Sequence, residues 1–373
     1  MVDNGAQNEF ADWRWQLARA PRDWPSLAAA LRLSPSEIER RQGAAERYPP
    51  LATPYYLSLA DLDDPDDPIR RQILPDPAEI APAWTAAADP LGEQDNSPVF
   101  GLVHRYPDRA LILLNARCAV HCRHCLRKRN WGRELAWSQP RFERALRYLR
   151  EHQEIREVIL SGGDPLLSED ATISRWLRAL AGLPRVSSLR IGSRLPVVLP
   201  QRFTDEFCAM LGESPGAWLA THFNHPRELT GEAGAACRRL LRAGVPLVNQ
   251  SVLLKGVNDR AEVLRELGLG LLRIGVKPYY LFHGDPVAGT RHFRTGIRRG
   301  LEIMAELRGT VSGLAIPAFA IDLPDGGGKL ALTPDSCVGS EGGAPCFKGL
   351  GGRVYRYADD DPEPRRQKPE AGG

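Results

Sequence analysis

Short apolar runs alternate with stretches of helical periodicity along most of this chain, and that alternation predicts its architecture. From residue 110 the runs ALILLN (110–115), EVILSG (157–162), SLRIGS (188–193), AWLATHF (217–223), PLVNQSVLL (246–254), KPYYLFH (277–283) and GLAIPAFAID (313–322) have the length and composition of strands. Between them, apolar residues recur at helical spacing near 138–152, 170–181, 203–212, 227–243, 259–274 and 292–308. Strands that alternate with helices imply an α/β fold with a parallel sheet, and six or seven such units curl into a full or partial β/α barrel. In that architecture the loops after the strands share one face, where chemistry collects. The polar residues that interrupt the pattern fall there: Cys118, Ser161 to Asp164, Ser193 and Arg194, His222, Gln250, Asp285 and Asp322.

The flanks read differently. Residues 1–95 are helical and turn-like, with an amphipathic stretch from Trp24 to Arg47 followed by the passage DLDDPDDPIRRQ. They form an N-terminal helical extension, a cap outside the core. Residues 96–322 make the barrel core, 323–357 a glycine-rich C-terminal segment, and 358–373 a polar tail of disordered composition.

Composition narrows the function classes. The 373 residues are 43% hydrophobic and carry a net charge of +3, too small a bias to argue for nucleic acid. No apolar run approaches the roughly 18 residues that span a bilayer, and the first residues lack the order of a secretory signal. A cytoplasmic protein with no membrane partner is expected. Seven cysteines, three of them between positions 118 and 125, do not suggest a disulfide framework; in a reducing compartment such a cluster binds metal or does redox chemistry.

That cluster is RCAVHCRHCLRKR, in which Cys118, Cys122 and Cys125 follow the first predicted strand. Three thiolates on one loop can hold three irons of a [4Fe–4S] cluster, leaving the fourth iron open to another ligand. A zinc site completed by His121 or His124 is the alternative. Cys208 and Cys237 fall within predicted helices and read as small core residues. The segment Ser161-Gly162-Gly163-Asp164 follows the second strand, where glycine admits close backbone approach to a ligand.

The cysteine spacing, its place after the first strand and His124 before the last cysteine resemble the radical S-adenosylmethionine superfamily. There the amino and carboxylate groups of S-adenosylmethionine take the fourth iron, and reductive cleavage yields a 5′-deoxyadenosyl radical. The resemblance implies that Ser161, Gly162, Gly163 and Asp164 recognise the methionine part, and that an electron donor such as flavodoxin or ferredoxin serves the cluster. The ordered segments HRYPDR, CRHCLRKR, THFN, VNQSVLLKGVND, KPYYL, HFR, LRGTVSGLAIP and GGGKLALTP together resemble the lysine 2,3-aminomutase family, over most of the chain. This resemblance implies an isomerase that uses pyridoxal 5′-phosphate, with Lys329 as its covalent anchor. Arg105, Tyr106 and Arg109 match the positions around the cofactor phosphate, for which guanidinium forks are suited. Arg127 matches the residue for the substrate α-carboxylate, and His222 and Gln250 match contacts to S-adenosylmethionine.

Asp285 and Asp322 match the two acids that hold the ε-ammonium of lysine. A neutral or anionic side chain would leave both carboxylates unpaired in a partly desolvated pocket. The implied substrate is a small basic amino acid: L-lysine rearranged to L-β-lysine, with arginine or ornithine as competitors. β-Lysine synthesis for elongation factor P, or a non-catalytic iron–sulfur or pyridoxal-binding protein, are the other readings. The resemblance breaks at one place. Family members carry an interfacial zinc site with a cysteine soon after the VND segment, where this chain has Arg260, and only Cys337 and Cys346 lie in its C-terminal part. That zinc site is expected to be absent, and a homo-oligomer does not carry over from the family.

Overall fold

The computed structural model describes residues 9–81, 86–323, 327–334, 336–341, 344–349 and 352–357. The tail expected to be disordered, 358–373, lies outside them.

The N-terminal segment folds as α1 (Trp13–Ala18), α2 (Trp24–Ala30), α3 (Pro35–Arg47), α4 (Pro54–Leu57) and α5 (Pro68–Arg71), then a 3₁₀ turn, Pro77–Glu79. The amphipathic stretch from Trp24 to Arg47 folds as two helices. Arg32 takes a left-handed turn at φ 51, and Ser34 starts the second helix with a capping box to Glu37. Trp24, Leu27, Tyr55, Tyr56, Ile69 and Ile73 of this segment join the same continuous apolar core as the barrel strands. The expected cap is thus built into the core it covers.

The main sheet runs in simple chain order, from β1 (Leu102–Tyr106) and β2 (Arg109–Asn115) through β3 (Glu157–Gly162), β4 (Ser188–Gly192), β5 (Ala217–Thr221), β6 (Leu247–Leu253), β7 (Lys277–His283) and β8 (Ala318–Leu323) to β9 (Gly328–Leu332). Strands β2 to β8 are parallel, as the alternation predicts. Helices α6 (Gln139–Glu151), α7 (Asp170–Ala181), α8 (Leu195–Val198), α9 (Asp205–Gly212), α10 (Gly231–Arg242), α11 (Ala261–Arg273) and α12 (Ile297–Thr310) make the crossovers. Strand β2 is almost wholly buried, which its near-continuous apolar run requires of a strand covered on both faces.

Two boundaries shift for local reasons. The last parallel strand starts at Ala318, after a 3₁₀ turn (Gly313–Ala315) and Pro317, whose missing N–H suits it to a strand entrance. Helix α12 starts at Ile297 behind Gly296, and Arg291–Phe293 form a separate 3₁₀ turn.

Antiparallel additions close both ends of the sheet. β1 pairs with β2 across the turn Tyr106↔Arg109, and β9 folds back on β8 with Lys329 opposite Asp322. Among the described residues no ladder joins β1 to β9, so the barrel is partial. Arg105 Nη2 still donates to the Leu323 carbonyl at 2.8 Å, and Tyr106 Oη to Asp322 Oδ1 at 2.9 Å, so the sheet's first strand touches its last parallel one. A small three-stranded sheet follows: β10 (Cys337–Glu341), β11 (Ala344–Lys348) and β12 (Val354–Arg356).

Candidate active site

A cavity of about 410 Å³ opens inside the curved sheet, and every residue singled out as a site candidate in the sequence lines it. Its wall takes Arg105, Tyr106 and Arg109 from the β1–β2 hairpin, and Cys118, Cys122, Cys125 and Arg127 from the loop after β2. Ser161 to Asp164 come from the end of β3, His222 from beyond β5, Gln250 from β6, Asp285 from beyond β7, Asp322 from β8 and Lys329 from β9.

The cysteine loop is anchored from the N-terminal side. Glu79 is fully buried; it takes Arg123 Nε at 2.8 Å and Nη2 at 2.5 Å through its two oxygens, and Lys128 Nζ at 2.7 Å. Burial pushes the Lys128 ammonium down to about 8, against the pull of Glu79. The basic run CRHCLRKR, which would pass for a solvated turn, is therefore partly an internal strut. Burial raises the Cys118 thiol well above its usual range and the Cys125 thiol to about 11, with repulsion from neighbouring cysteines adding to each.

Zinc is poorly served by this loop. His121 gives Nδ1 to the Pro49 carbonyl at 2.7 Å and stacks on Trp131, while His124 is buried beside Asn224. Among the described residues no three His, Cys, Asp or Glu side chains come close enough to hold one metal ion. Three thiols facing one cavity suit a multi-iron cluster, in which each thiolate takes its own iron.

Gly162 and Gly163 have a packing cause besides ligand approach. A Cβ on either would lie 2.2 Å from a carbonyl of the chain leaving β2, Asn115 or Arg117. The Gly163 and Asp164 N–H groups donate to those same carbonyls at 2.7 Å. The Asp164 carboxylate accepts from Ser193 Oγ at 2.9 Å and from the Arg194 N–H at 2.8 Å, tying the ends of β3 and β4 together; burial lifts its pKa to about 6. Ser161 Oγ accepts from Arg127 Nη1 at 3.0 Å.

Arg127 is oriented by a partner that sequence reasoning missed. Glu93 takes its Nε at 2.9 Å and Nη2 at 2.6 Å, and Arg129 Nη2 at 2.6 Å. Burial works against the Glu93 charge, but Arg127 and Arg129 outweigh it and hold the carboxyl below its ordinary range. His222 Nε2 lies 3.1 Å from Asn224 Oδ1; burial and the nearby Arg194 push its pKa down to about 3, so the ring is neutral.

At the other end of the cavity three groups converge on Asp322. Lys329 Nζ sits 2.5 Å from Oδ2, Tyr106 Oη bonds Oδ1, and Arg105 Nη1 lies 3.9 Å from Oδ1. The β8–β9 register produces this meeting, and Gly328 at φ 79 supplies the left-handed residue that precedes the lysine. Burial lowers the Lys329 pKa from its ordinary value, and the charges of Asp322 and Asp285 oppose that shift. Asp285 is raised to about 6, first by burial and then by the Asp322 charge, so the two carboxylates sense each other. Arg109 instead pairs with Asp108 at 2.9 Å and covers the Tyr106 ring, leaving it less committed to the cavity than Arg105.

The remaining cysteines separate by environment. Cys208 and Cys237 are buried core residues, as their helical positions predict. In the small sheet Cys337 faces Phe347 and Cys346 faces Gly339, so the two are not cross-strand partners.

Comparison with known proteins places this geometry. The family model described as Radical SAM superfamily matches residues 112–268, and the model described as Lysine-2,3-aminomutase matches residues 304–363. The chain is 42% identical over 352 residues to L-lysine 2,3-aminomutase of Clostridium subterminale, covering 94% of this chain and 85% of that one. It is 40% identical over 357 residues to L-lysine 2,3-aminomutase of Acetoanaerobium sticklandii, covering 95% and 86%. Glutamate 2,3-aminomutase of Clostridioides difficile is also similar, at 39% over 358 residues, covering 96% and 85%.

Proposed function

The chain belongs to the lysine 2,3-aminomutase family of radical S-adenosylmethionine enzymes, and on that premise we propose that it moves the amino group of L-lysine from C2 to C3, giving L-β-lysine. Membership makes it an isomerase and implies a [4Fe–4S] cluster, S-adenosylmethionine and a reductant. It leaves the amino acid open, since relatives of similar identity are named for lysine and for glutamate.

The observation that carries the choice is the pair Asp285 and Asp322 on one wall of the cavity. A glutamate side chain would set a third carboxylate beside two others in a partly desolvated pocket, where burial first and the Asp322 charge second already raise Asp285. An alkylammonium reverses that cost. Lys329 itself presents one to Asp322 in this structure. Arginine and ornithine also carry a cation, and the wall favours them over any acid.

When bound, the cluster with S-adenosylmethionine supplies a carbon-centred radical, and pyridoxal phosphate supplies a conjugated carbonyl for the substrate amine. Cys118, Cys122 and Cys125 would hold the cluster. Ser161 to Asp164, His222 and Gln250 would line the place of S-adenosylmethionine. Lys329 would anchor pyridoxal phosphate, with Arg105, Tyr106 and Arg109 about its phosphate. Arg127, held by Glu93 through Nε and Nη2 and by Ser161 through Nη1, would meet the substrate α-carboxylate. Two ends of one amino acid are then fixed across the cavity, with its C2 and C3 between them. In this division of labour residues 96–322 carry the radical chemistry and 323–357 bring Lys329 to it, while 1–95 brace the cysteine loop.

The test is a selectivity measurement on the reconstituted enzyme. Asp285→Asn should raise the KM for lysine by about tenfold to a hundredfold, the loss of about 1.5–3 kcal/mol from a charged hydrogen bond. Its KM for glutamate should not rise. Equal loss toward both substrates would remove Asp285 from substrate choice.

A further inference from the structure

Arg194 follows β4 and is only 8% exposed, yet its guanidinium is ringed by polar atoms. Nη1 donates to Cys122 Sγ at 2.6 Å. Nη2 donates to Gln72 Oε1 at 2.6 Å, Glu228 Oε1 at 2.8 Å and Tyr56 Oη at 3.0 Å. Nε donates to the His222 carbonyl at 3.3 Å. The partners are themselves fixed. Glu228 is fully buried, and its second oxygen accepts the N–H groups of Asn224 and His225. Tyr56 Oη donates to Glu228 Oε1 at 2.6 Å, and Gln72 Nε2 donates to the same oxygen at 3.2 Å.

This frame lets the guanidinium point one way only. Its rear is held by Glu228 and by two residues of the N-terminal segment, and its front meets the sulfur of the middle cysteine. Cys125 Sγ, by contrast, accepts a backbone N–H, that of Arg127, at 3.3 Å. A buried charge so completely bonded is costly to assemble, and an apolar side chain would have filled the space between β4 and the cysteine loop.

A cluster held at these thiolates becomes more negative when it takes an electron. A fixed cation and an N–H···S hydrogen bond stabilise the reduced form more than the oxidised one and so raise the reduction potential. We propose that Arg194, held in place by Tyr56, Gln72 and Glu228, raises the potential of the cluster through Cys122 and so eases its one-electron reduction by the donor. This rests on the cluster reading given above. It makes Arg194 a positioning and tuning residue, and it extends control of the cluster into the N-terminal segment.

The test is an anaerobic spectroelectrochemical titration of the iron-reconstituted full chain, comparing wild type, Arg194→Lys and the charge-balanced pair Arg194→Gln with Glu228→Gln. Iron content, circular dichroism and S-adenosylmethionine affinity are measured on each. The expected result is a midpoint potential shifted to more negative values in the double variant, a smaller shift in Arg194→Lys, and unchanged affinity for S-adenosylmethionine. Cleavage of S-adenosylmethionine should slow with a flavodoxin-class donor and recover with a stronger chemical reductant. Potentials equal to wild type would overturn the proposal, as would an unshifted potential with weakened S-adenosylmethionine binding, which would place Arg194 on that ligand instead. Should the double variant fail to hold iron, Arg194→Lys decides alone by the same criterion. Failure of the wild type to take up iron would refute the cluster reading itself, and the proposal with it.

Discussion

Asp285 gives the substrate wall a dependence on pH. Its carboxyl is raised to about 6 by burial and by Asp322, so it loses its charge well above the ordinary range for aspartate. An ε-ammonium needs the ionised form, so the KM for lysine should climb steadily as pH falls below about 6, approaching tenfold per unit. A KM flat between about pH 7.5 and pH 5 would exclude Asp285 from cation binding. At the same wall, Lys329→Ala should remove both turnover and the visible absorbance of covalently held pyridoxal phosphate; retained mutase activity in that variant would end the anchoring assignment. The residues behind these roles were the least legible. Cysteine spacing and the GGGK string stand out in a sequence, but Glu93 and Glu79 sit in turn-rich stretches with no periodicity. Arg194 was visible as a strand-end oddity without a role. Their importance comes from burial and from partners distant in the chain, such as Arg127 for Glu93 at a separation of 34 residues.

The elements follow their hydrophobic pattern where that pattern is strong. All seven parallel strands and six of the crossover helices were legible from short apolar runs alternating with helical periodicity, whereas the four-residue α8 (Leu195–Val198) was not. The antiparallel pieces were not: β1 (LVHRY) and β9 (GKLAL) are short and half-polar, and they announce themselves only by what they pair with. The GGGK string reads as a flexible loop, yet its Gly328 and Lys329 belong to β9, whose register with β8 delivers Lys329 to Asp322. The cysteine loop depends on another element, the 3₁₀ turn that ends in Glu79. Replacing Glu79 by Ala would strand two buried cations, Arg123 and Lys128, at a cost of about 3–5 kcal/mol. The expected outcome is a lower denaturation midpoint together with reduced iron retention. Full iron loading in a destabilised variant would show that the strut supports the fold and not the loop.

At the scale of the whole molecule, one core serves both the N-terminal helices and the barrel, which the sequence reading had kept apart. The first segment has few strand-like runs, so its pattern did not reveal that its apolar residues face the same interior as the strands. Several buried imidazoles make this assembly sensitive to acid. Burial pushes His121, His222 and His292 down to about 4, 3 and 4, against 6.5 for an exposed ring. Between about pH 6.5 and 4 the unfolded chain therefore binds protons that the folded chain does not, and stability is lost as pH falls through that window. Asp164 and Asp285, raised to about 6, take up protons in the folded state and offset part of the loss below that pH. The Tm of the metal-free protein should accordingly be lower at about pH 5.5 than at about pH 7.5. A Tm that holds or rises on acidification would show that these rings are not buried as neutral groups.

The account turns on which amino acid the two aspartates admit. The direct measurement is an anaerobic incubation of the reconstituted protein with pyridoxal phosphate, S-adenosylmethionine, a strong reductant and an equal mixture of L-lysine, L-arginine, L-ornithine and L-glutamate, followed by chromatographic and mass-spectrometric separation of α- from β-amino acids. The account predicts β-lysine as the principal product and no β-glutamate. Accumulation of β-glutamate, or cleavage of S-adenosylmethionine with no β-amino acid formed, would contradict it.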